Sequence, residues 1–362
     1  MTLKAPPYGQ ARADSTRRET MDRTFLRLLR KFTSLLDGEL PATIEAMLDN
    51  PRLQSELVKR TTSLDICALP ISGSSEISDL KRYELRGDRV FWMRERGGFS
   101  AYYGSKSAPL PSGADSFLAC PFGDDRIMTA FMERTREGSR RLCVQCDGVT
   151  VSTVNLSDIW RTPIDLTVDD DGNAVIAVAY RERSGFITCS LNTCRDGKLV
   201  PLYDGHTVYS FPGAEKIDCL TWSRGKPVFR VKWQPTKLDG KKQVLIGTTR
   251  GSTSVNVSEP LVDAKGDVYY SISDSSRGVV DYVNHNQVAQ STRNFEVHSV
   301  VYTPEGRRFS IEGGKDDLRL YMDYLPVTRA FKEVFSLGLD GYRMVVFGVV
   351  VGKTVKKMTF QY

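Results

Sequence analysis

A turn that keeps returning sets the narrowest limit on how this chain can fold. Gly87-Asp88, Asp124-Asp125, Asp171-Gly172, Arg224-Gly225, Lys265-Gly266, Glu305-Gly306 and Asp340-Gly341 punctuate its length. From Asp88 to Gly341 there are six intervals in 253 residues, a mean of about 42, which is the length of a four-stranded repeat. Between the turns lie runs of four to nine residues rich in Val, Ile, Tyr, Phe and Thr, the side chains that suit a pleated, half-buried surface. Two segments nearly repeat in sequence. Arg94 to Phe99 reads RERGGF and Arg181 to Phe186 reads RERSGF, 87 residues later, or two repeat lengths. A unit of this size cannot bury its apolar faces alone and needs neighbours of the same kind.

Seven such units predict an all-β, seven-bladed β-propeller over residues 63–362, with six or eight blades as the alternatives. Strand counting tests whether the ring closes. After Asp340-Gly341 only 21 residues remain, enough for strands at 342–351 and 354–362, with 332–339 before the turn as a third. The last blade is one strand short. Residues 64–71, LDICALPI, lie just ahead of the first blade and are placed to supply it, so that neither end leaves a bare sheet edge. Upstream the pattern is helical. After a tail at 1–16, a helical extension is expected over 17–62. Phe25, Leu28, Leu29, Phe32, Leu35 and Leu36 form one apolar stripe, and Arg23, Arg27, Arg30 and Lys31 take the other faces. Asp37-Gly38 ends that helix, and Pro41 and Asn50-Pro51 open two short ones. The stripe is expected to strap onto the ring. Docking into a partner, with the four cations as its contact residues, and lying on an anionic membrane surface are the other readings.

With the repeat in place, the ring resembles a degenerate WD-repeat β-propeller. In Val297 to Asp323 a histidine stands ahead of a strand, a Pro-Glu-Gly turn leads to a second strand, and Asp317 precedes a third. Gly205-His206, upstream of Ile217 to Ser223, looks like the family's Gly-His pair before a first strand. The Trp-Asp dipeptide of the family is absent. The resemblance implies a rigid platform for protein partners, although some propellers are enzymes.

Chemical motifs narrow the function by exclusion. No stretch approaches the roughly 18 apolar residues of a membrane helix; the longest candidate, Met344 to Val351, is broken by Gly348. The first 24 residues carry Asp14, Glu19 and Asp22 and no apolar core, so no secretory signal is read and a cytoplasmic location is expected. Seven cysteines in such a chain point to free thiols. In GVVVGKT, from Gly348, three residues separate the first glycine from Gly-Lys where a phosphate loop has four, and a hairpin explains them. Asp169 to Asn173 (DDDGN) lacks the spacing and closing glutamate of a calcium loop and reads as a turn. Cys143 and Cys146 sit three apart on an expected strand, hence on opposite faces, unsuited to zinc or redox work. Cys189 and Cys194 are likewise read as structural, and the sequons at Asn155 and Asn256 as chance. His206, His285 and His298 have no metal-ligand neighbours in sequence. No catalytic residue, metal site or cofactor is predicted.

The remaining signal is charge. The chain holds 50 Lys and Arg against 44 Asp and Glu, a net +6. Eleven bases and nine acids through Ser72 leave +4 for the ring. The turns between second and third strands should share one face. They carry Arg94 and Arg96, Arg134 and Arg136, Arg181 and Arg183, and Lys237, Lys241 and Lys242, and with the three later turns they total +6. That face exceeds the ring's own net charge, so the rest of the ring is acidic. Arg forks suit carboxylates and phosphates. The expected function is a non-catalytic scaffold holding a protein or other acidic or phosphate-bearing partner on this face. The alternatives are a hydrolase or lyase in the central channel and a nucleic-acid-associated propeller.

Overall fold

The computed structural model describes residues 67–68 and, from 80 to 361, all but 87–88, 95–99, 136, 157–160, 236–239, 275–277, 293–295, 315, 329, 333, 340–343 and 352–353. The tail, the helices expected at 17–62 with Arg23, Arg27, Arg30 and Lys31, and Arg96, Arg136 and Lys237 lie outside the described residues.

Alternation of strand and tight turn produces seven antiparallel sheets in chain order. After β1 (Cys67–Ala68), the first sheet holds β2 (Leu80–Arg86), β3 (Arg89–Arg94), β4 (Ser100–Tyr103) and β5 (Lys106–Pro109). The second holds β6 (Ala114–Phe122), β7 (Arg126–Arg134), β8 (Arg140–Cys146) and β9 (Val149–Leu156). The third holds β10 (Arg161–Val168), β11 (Ala174–Arg181), β12 (Ile187–Arg195) and β13 (Lys198–Pro201). A small hairpin, β14 (Tyr203–Asp204) and β15 (Thr207–Val208), then intervenes before β16 (Ser210–Pro212) returns to pair with β12. The fourth sheet runs β17 (Ala214–Ser223), β18 (Lys226–Trp233), β19 (Lys242–Ile246) and β20 (Thr249–Ser254).

In the fifth, the first strand is split into β21 (Asn256–Val257) and β22 (Leu261–Val262), both pairing with β23 (Val268–Asp274), followed by β24 (Gly278–Val283) and β25 (Asn286–Ser291). The sixth has β26 (Val297–Tyr302), β27 (Arg308–Glu312), β28 (Arg319–Met322) and β29 (Leu325–Pro326). The seventh has β30 (Val334–Leu339), β31 (Met344–Val351) and β32 (Thr354–Gln361), and β1 is its outer strand, with Cys67 opposite Lys357 and Ala68 opposite Lys356. First strands pack against first strands around the ring: β6 and β17 flank β10, and β30 meets β26 on one side and β2 on the other. The last contact closes a seven-bladed β-propeller.

This packing explains the composition of the strands. Each sheet is sandwiched between two others, so its middle strands are buried on both faces and lose strict alternation; Ile127 to Met132 and Ala174 to Val178 are continuous buried runs. The core is therefore a series of interfaces. Phe91 and Phe131 sit between the first and second sheets, Met132 and Leu166 between the second and third, and Leu191 and Phe229 between the third and fourth. Cys143 and Cys146 fall into two different interfaces, as their three-residue spacing on β8 requires.

Turn chemistry sets the register. Asp147-Gly148, Asp196-Gly197, Asn284-His285 and Asp323-Tyr324 all have two left-handed central residues, the type I′ geometry whose twist matches the flanking strands. Asp169, Asp263 and Thr303 open longer turns in which a glycine stands three residues on and the side chain accepts from the backbone amide four on. Asp169 also accepts from Asp171 N and Asn173 Nδ2, so the DDDGN run is accounted for by turn hydrogen bonds. Val351 pairs with Thr354 across Gly352-Lys353, which makes GVVVGKT a hairpin.

Two details correct the expected motif. Gly205-His206 caps the β14–β15 hairpin inserted within the third sheet's outer strand and does not precede a first strand. His298 lies inside β26, where Nε2 bonds Gly313 O.

Candidate functional site

Because successive strands are antiparallel, each second-to-third-strand turn lies at the end of its sheet opposite the first-to-second and third-to-fourth turns. Contacts between neighbouring sheets respect this division. Gln234 Nε2 donates to Gly185 O, joining two second-to-third turns at 3.4 Å. On the other face Lys106 reaches Asp147, Thr248 reaches Asp204, and Arg224 reaches Lys265 O.

Of the predicted basic residues, Arg94, Arg134 and Arg181 end the second strands of the first three sheets, and Arg183 lies within the Glu182–Phe186 turn, which Gly185 N closes on Glu182 O. That turn and Thr135–Ser139 have the same glycine-bearing geometry; residues 95–99 of the matching RERGGF segment lie outside the described residues. Arg134, Arg181 and Arg183 are exposed, and no described residue accepts a hydrogen bond or ion pair from them. Lys241 and Lys242, by contrast, are half-buried at the start of β19. The nearby Arg141 is already taken: it pairs with Glu133, which also accepts from the Cys143 thiol. Those two donors hold Glu133 below the usual carboxylate range, while burial and Glu133 push the thiol up to about 11, leaving Cys143 protonated and inert.

On the opposite face several cations are matched, although Arg195, Lys198, Lys226 and Lys265 make no ion pair among the described residues. Lys106 and Arg126 share Asp147, Arg224 pairs with Asp267, and Arg307 with Asp323.

The central tunnel holds a polar belt. Arg82 on β2 donates to Glu84, to Ala119 O on β6 and to Asp165 on β10. Asp165 also accepts the amides of Leu166 and, across to β17, Leu220, both at 2.8 Å. Beside it Asp218 takes two bonds from Arg230, which continues to Val257 O. Burial raises Asp165 against the pull of Arg82 and the two amides, whereas for Asp218 burial is outweighed by Arg230 and Lys216 and the carboxyl stays below its ordinary value. The pairing of the inner strands is irregular beside these residues, at Leu80/Arg82, Pro163/Asp165 and Asp218/Thr221. Asp165 is committed to cross-sheet bonds, whereas Glu84 and Asp218 pair within their own sheets with Arg82 and Arg230, which themselves reach neighbouring sheets; the arrangement is a tether between sheets.

A second network is fully buried between the fifth and sixth sheets. Arg308 bonds Asp281 and Glu312 at 2.5 Å each and Ser310 at 2.6 Å, and its guanidinium lies 4.4 Å from the Tyr324 ring centroid. Ser271 and Tyr302 donate to the remaining Asp281 sites. Burial raises Glu312 against the attraction of Arg308.

Sequence reasoning missed both networks. The available signal was a charge inside an otherwise apolar strand, as in RTPIDLTV and RFSIE. Among the described residues no group of three or more His, Cys, Asp or Glu is placed to hold a metal, and no described helix is long and apolar enough to cross a membrane.

No protein-family model matches the chain. No curated protein matches it either. Among solved structures it is similar to a chain of the mitotic checkpoint complex, at 12% identity and TM-score 0.48 over 82% of this chain and 93% of that one. It is also similar to the β-propeller domain of the Trilobed protease from Pyrococcus furiosus, at 11% identity and TM-score 0.46 over 78% and 94%. Virginiamycin B lyase from Staphylococcus aureus gives 9% identity and TM-score 0.44 over 82% and 99%.

Proposed function

We propose that the chain is a non-catalytic interaction platform that holds an acidic partner, a protein in the first instance, on the face of its second-to-third-strand turns. One observation carries this reading. Arg134, Arg181 and Arg183 are exposed on adjacent sheets and have no acceptor among the described residues, while Lys106, Arg126, Arg224 and Arg307 on the other face each have a carboxylate. An uncommitted guanidinium keeps its bidentate fork for an incoming carboxylate or phosphate. The tunnel favours the same conclusion over an enzyme, because Arg82 spans three inner strands and Glu84, Asp165 and Asp218 all have cationic partners.

The test is a triple charge reversal, Arg134→Glu, Arg181→Glu and Arg183→Glu, assayed for binding to immobilised poly-glutamate. The wild type is expected to bind at low salt and the variant to lose at least about tenfold, since each reversal removes a charge-assisted contact and adds repulsion. An unchanged melting temperature shows that the fold is intact. Equal binding by the two proteins rejects the reading. Binding to single-stranded nucleic acid with steep salt dependence, and none to poly-glutamate, replaces it with the nucleic-acid alternative.

A further inference from the structure

On the opposite face, the fourth and fifth sheets part to leave a groove of about 310 Å³ lined by Arg224, Lys226, Ile246, Thr249, Asn284 and His285, among others. Lys226 is exposed and makes no ion pair among the described residues. Arg224 is held still, with Nε on Lys265 O at 2.9 Å and Nη2 on Asp267 at 2.8 Å. Its Nη1 has no acceptor among the described residues. Asp267, a carboxylate beside the groove, is paired through one oxygen, which accepts from Arg224 and, at 2.7 Å, from Asn284 Nδ2.

His285 is fixed as well. Thr249 O can only accept, so the ring donates from Nε2 and takes the Tyr270 hydroxyl proton on Nδ1 at 2.8 Å. Burial lowers its proton affinity against the opposite pull of Thr249 O, so His285 supplies a neutral wall. Ile246 supplies an apolar one.

The single departure from the four-strand repeat in the third sheet stands at this groove. The β14–β15 hairpin is pinned at its root by Leu202 and Tyr209 on Leu191, and Asp204 accepts from Thr248 in the next sheet at 3.2 Å. A Cβ built on Gly247 would lie 3.0 Å from Lys226 Cδ, 3.4 Å from Asp204 Oδ2 and 3.5 Å from Tyr209 Oη. The stem of Lys226 and the hairpin root therefore pack around one glycine. Tyr203 and Val208 of that hairpin remain exposed as a cross-strand pair.

From this convergence we propose that the groove between the fourth and fifth sheets binds a small ligand with an oxyanion head, phosphate or carboxylate, and an apolar body. Lys226, Arg224 Nη1 and the Thr249 hydroxyl take the head. Ile246 and the His285 ring take the body. The site is separate from the basic turns on the other face and does not depend on them.

The proposal is tested on the full chain by calorimetric titration with phenyl phosphate, inorganic phosphate and benzoate. Phenyl phosphate or benzoate is expected to saturate one site. Phenyl phosphate against inorganic phosphate reads the apolar wall, and phenyl phosphate against benzoate identifies the head. Lys226→Glu should weaken binding about tenfold or more, the loss of one charge-assisted contact, with an unchanged melting curve, and Arg181→Glu should leave it unaltered. If the Lys226 variant is unstable, Thr249→Val serves instead and should weaken binding about fivefold. No saturation by either ring-bearing probe at 20 mM, on the order of the weakest affinity a specific site shows, overturns the proposal, as does binding that is insensitive to Lys226→Glu and Thr249→Val. Failure here leaves the poly-glutamate result untouched, and the converse also holds.

Discussion

Arg308 is the side chain on which the most buried charge depends. Asp281, Glu312, Ser310 and the Tyr324 ring all meet it in a region where Arg308 and Asp281 are 3% and 1% exposed. Replacing it by methionine keeps the volume but strands two carboxylates, and removing one partner from a buried pair costs roughly 3–5 kcal/mol. Arg308→Met is therefore expected to lower the unfolding free energy by about that amount, read from the urea midpoint at constant slope. Asp218 offers a pH-dependent case. Its carboxyl is held below its ordinary value by Arg230 and Lys216 in spite of burial, so its contribution is complete above the unfolded-state value of about 3.9 and is lost as pH falls through the lower native one. Asp218→Asn should be the less stable protein at pH 7, with the gap closing below about pH 4; a gap constant from pH 7 to pH 2 contradicts the assignment. Neither role was legible in the sequence. The bond from Arg82 to Asp165 spans 83 residues, and only the register of inner strands brings such groups together. The exposed Arg134, Arg181 and Arg183 were legible, because a turn is a local property.

Elements were read well where a turn residue has a backbone reason to be there. The dipeptides Asp171-Gly172, Lys265-Gly266 and Glu305-Gly306 mark glycines with positive φ, which l-amino acids with a side chain adopt at a cost of about 1–2 kcal/mol. Gly278 is a sharper example. It has φ of +74°, and a Cβ there would stand 2.0 Å from Ser291 O. Gly278→Ala is expected to destabilise by at least about 2 kcal/mol, with loss of amide protection first between β24 and β25. What the sequence concealed was irregularity. The inner strand of every sheet is bulged or split, and a bulge needs no special residue: Ser116 and Cys219 take positive φ without being glycine. For the same reason Gly205-His206 reads as a family motif while serving as the tip of an inserted hairpin, since both contexts want a glycine turn.

At the scale of the molecule the repeat length carried the fold, because a mean near 42 residues admits few architectures and strand counting located the incomplete blade. Besides the packing of β30 on β2, the two ends of the ring are tied by one small strand pairing, Cys67–Ala68 against Lys356–Lys357. A chain beginning at Leu64 retains it and one beginning at Ile71 does not. The shorter chain should melt several degrees lower, the shift about 1 kcal/mol produces in a protein of this size, and should lose hydrogen-exchange protection along β32. Equal melting of the two chains would show that the closing strand adds nothing.

That contact also sets an order of events in synthesis. β1 is made before every other described strand and its partner β32 after them, so until β32 is complete the sheets already made stand as an open arc. The arc is the form most exposed to pairing with other chains, and the protein becomes a ring only after the ribosome has finished the strand that releases it from that risk.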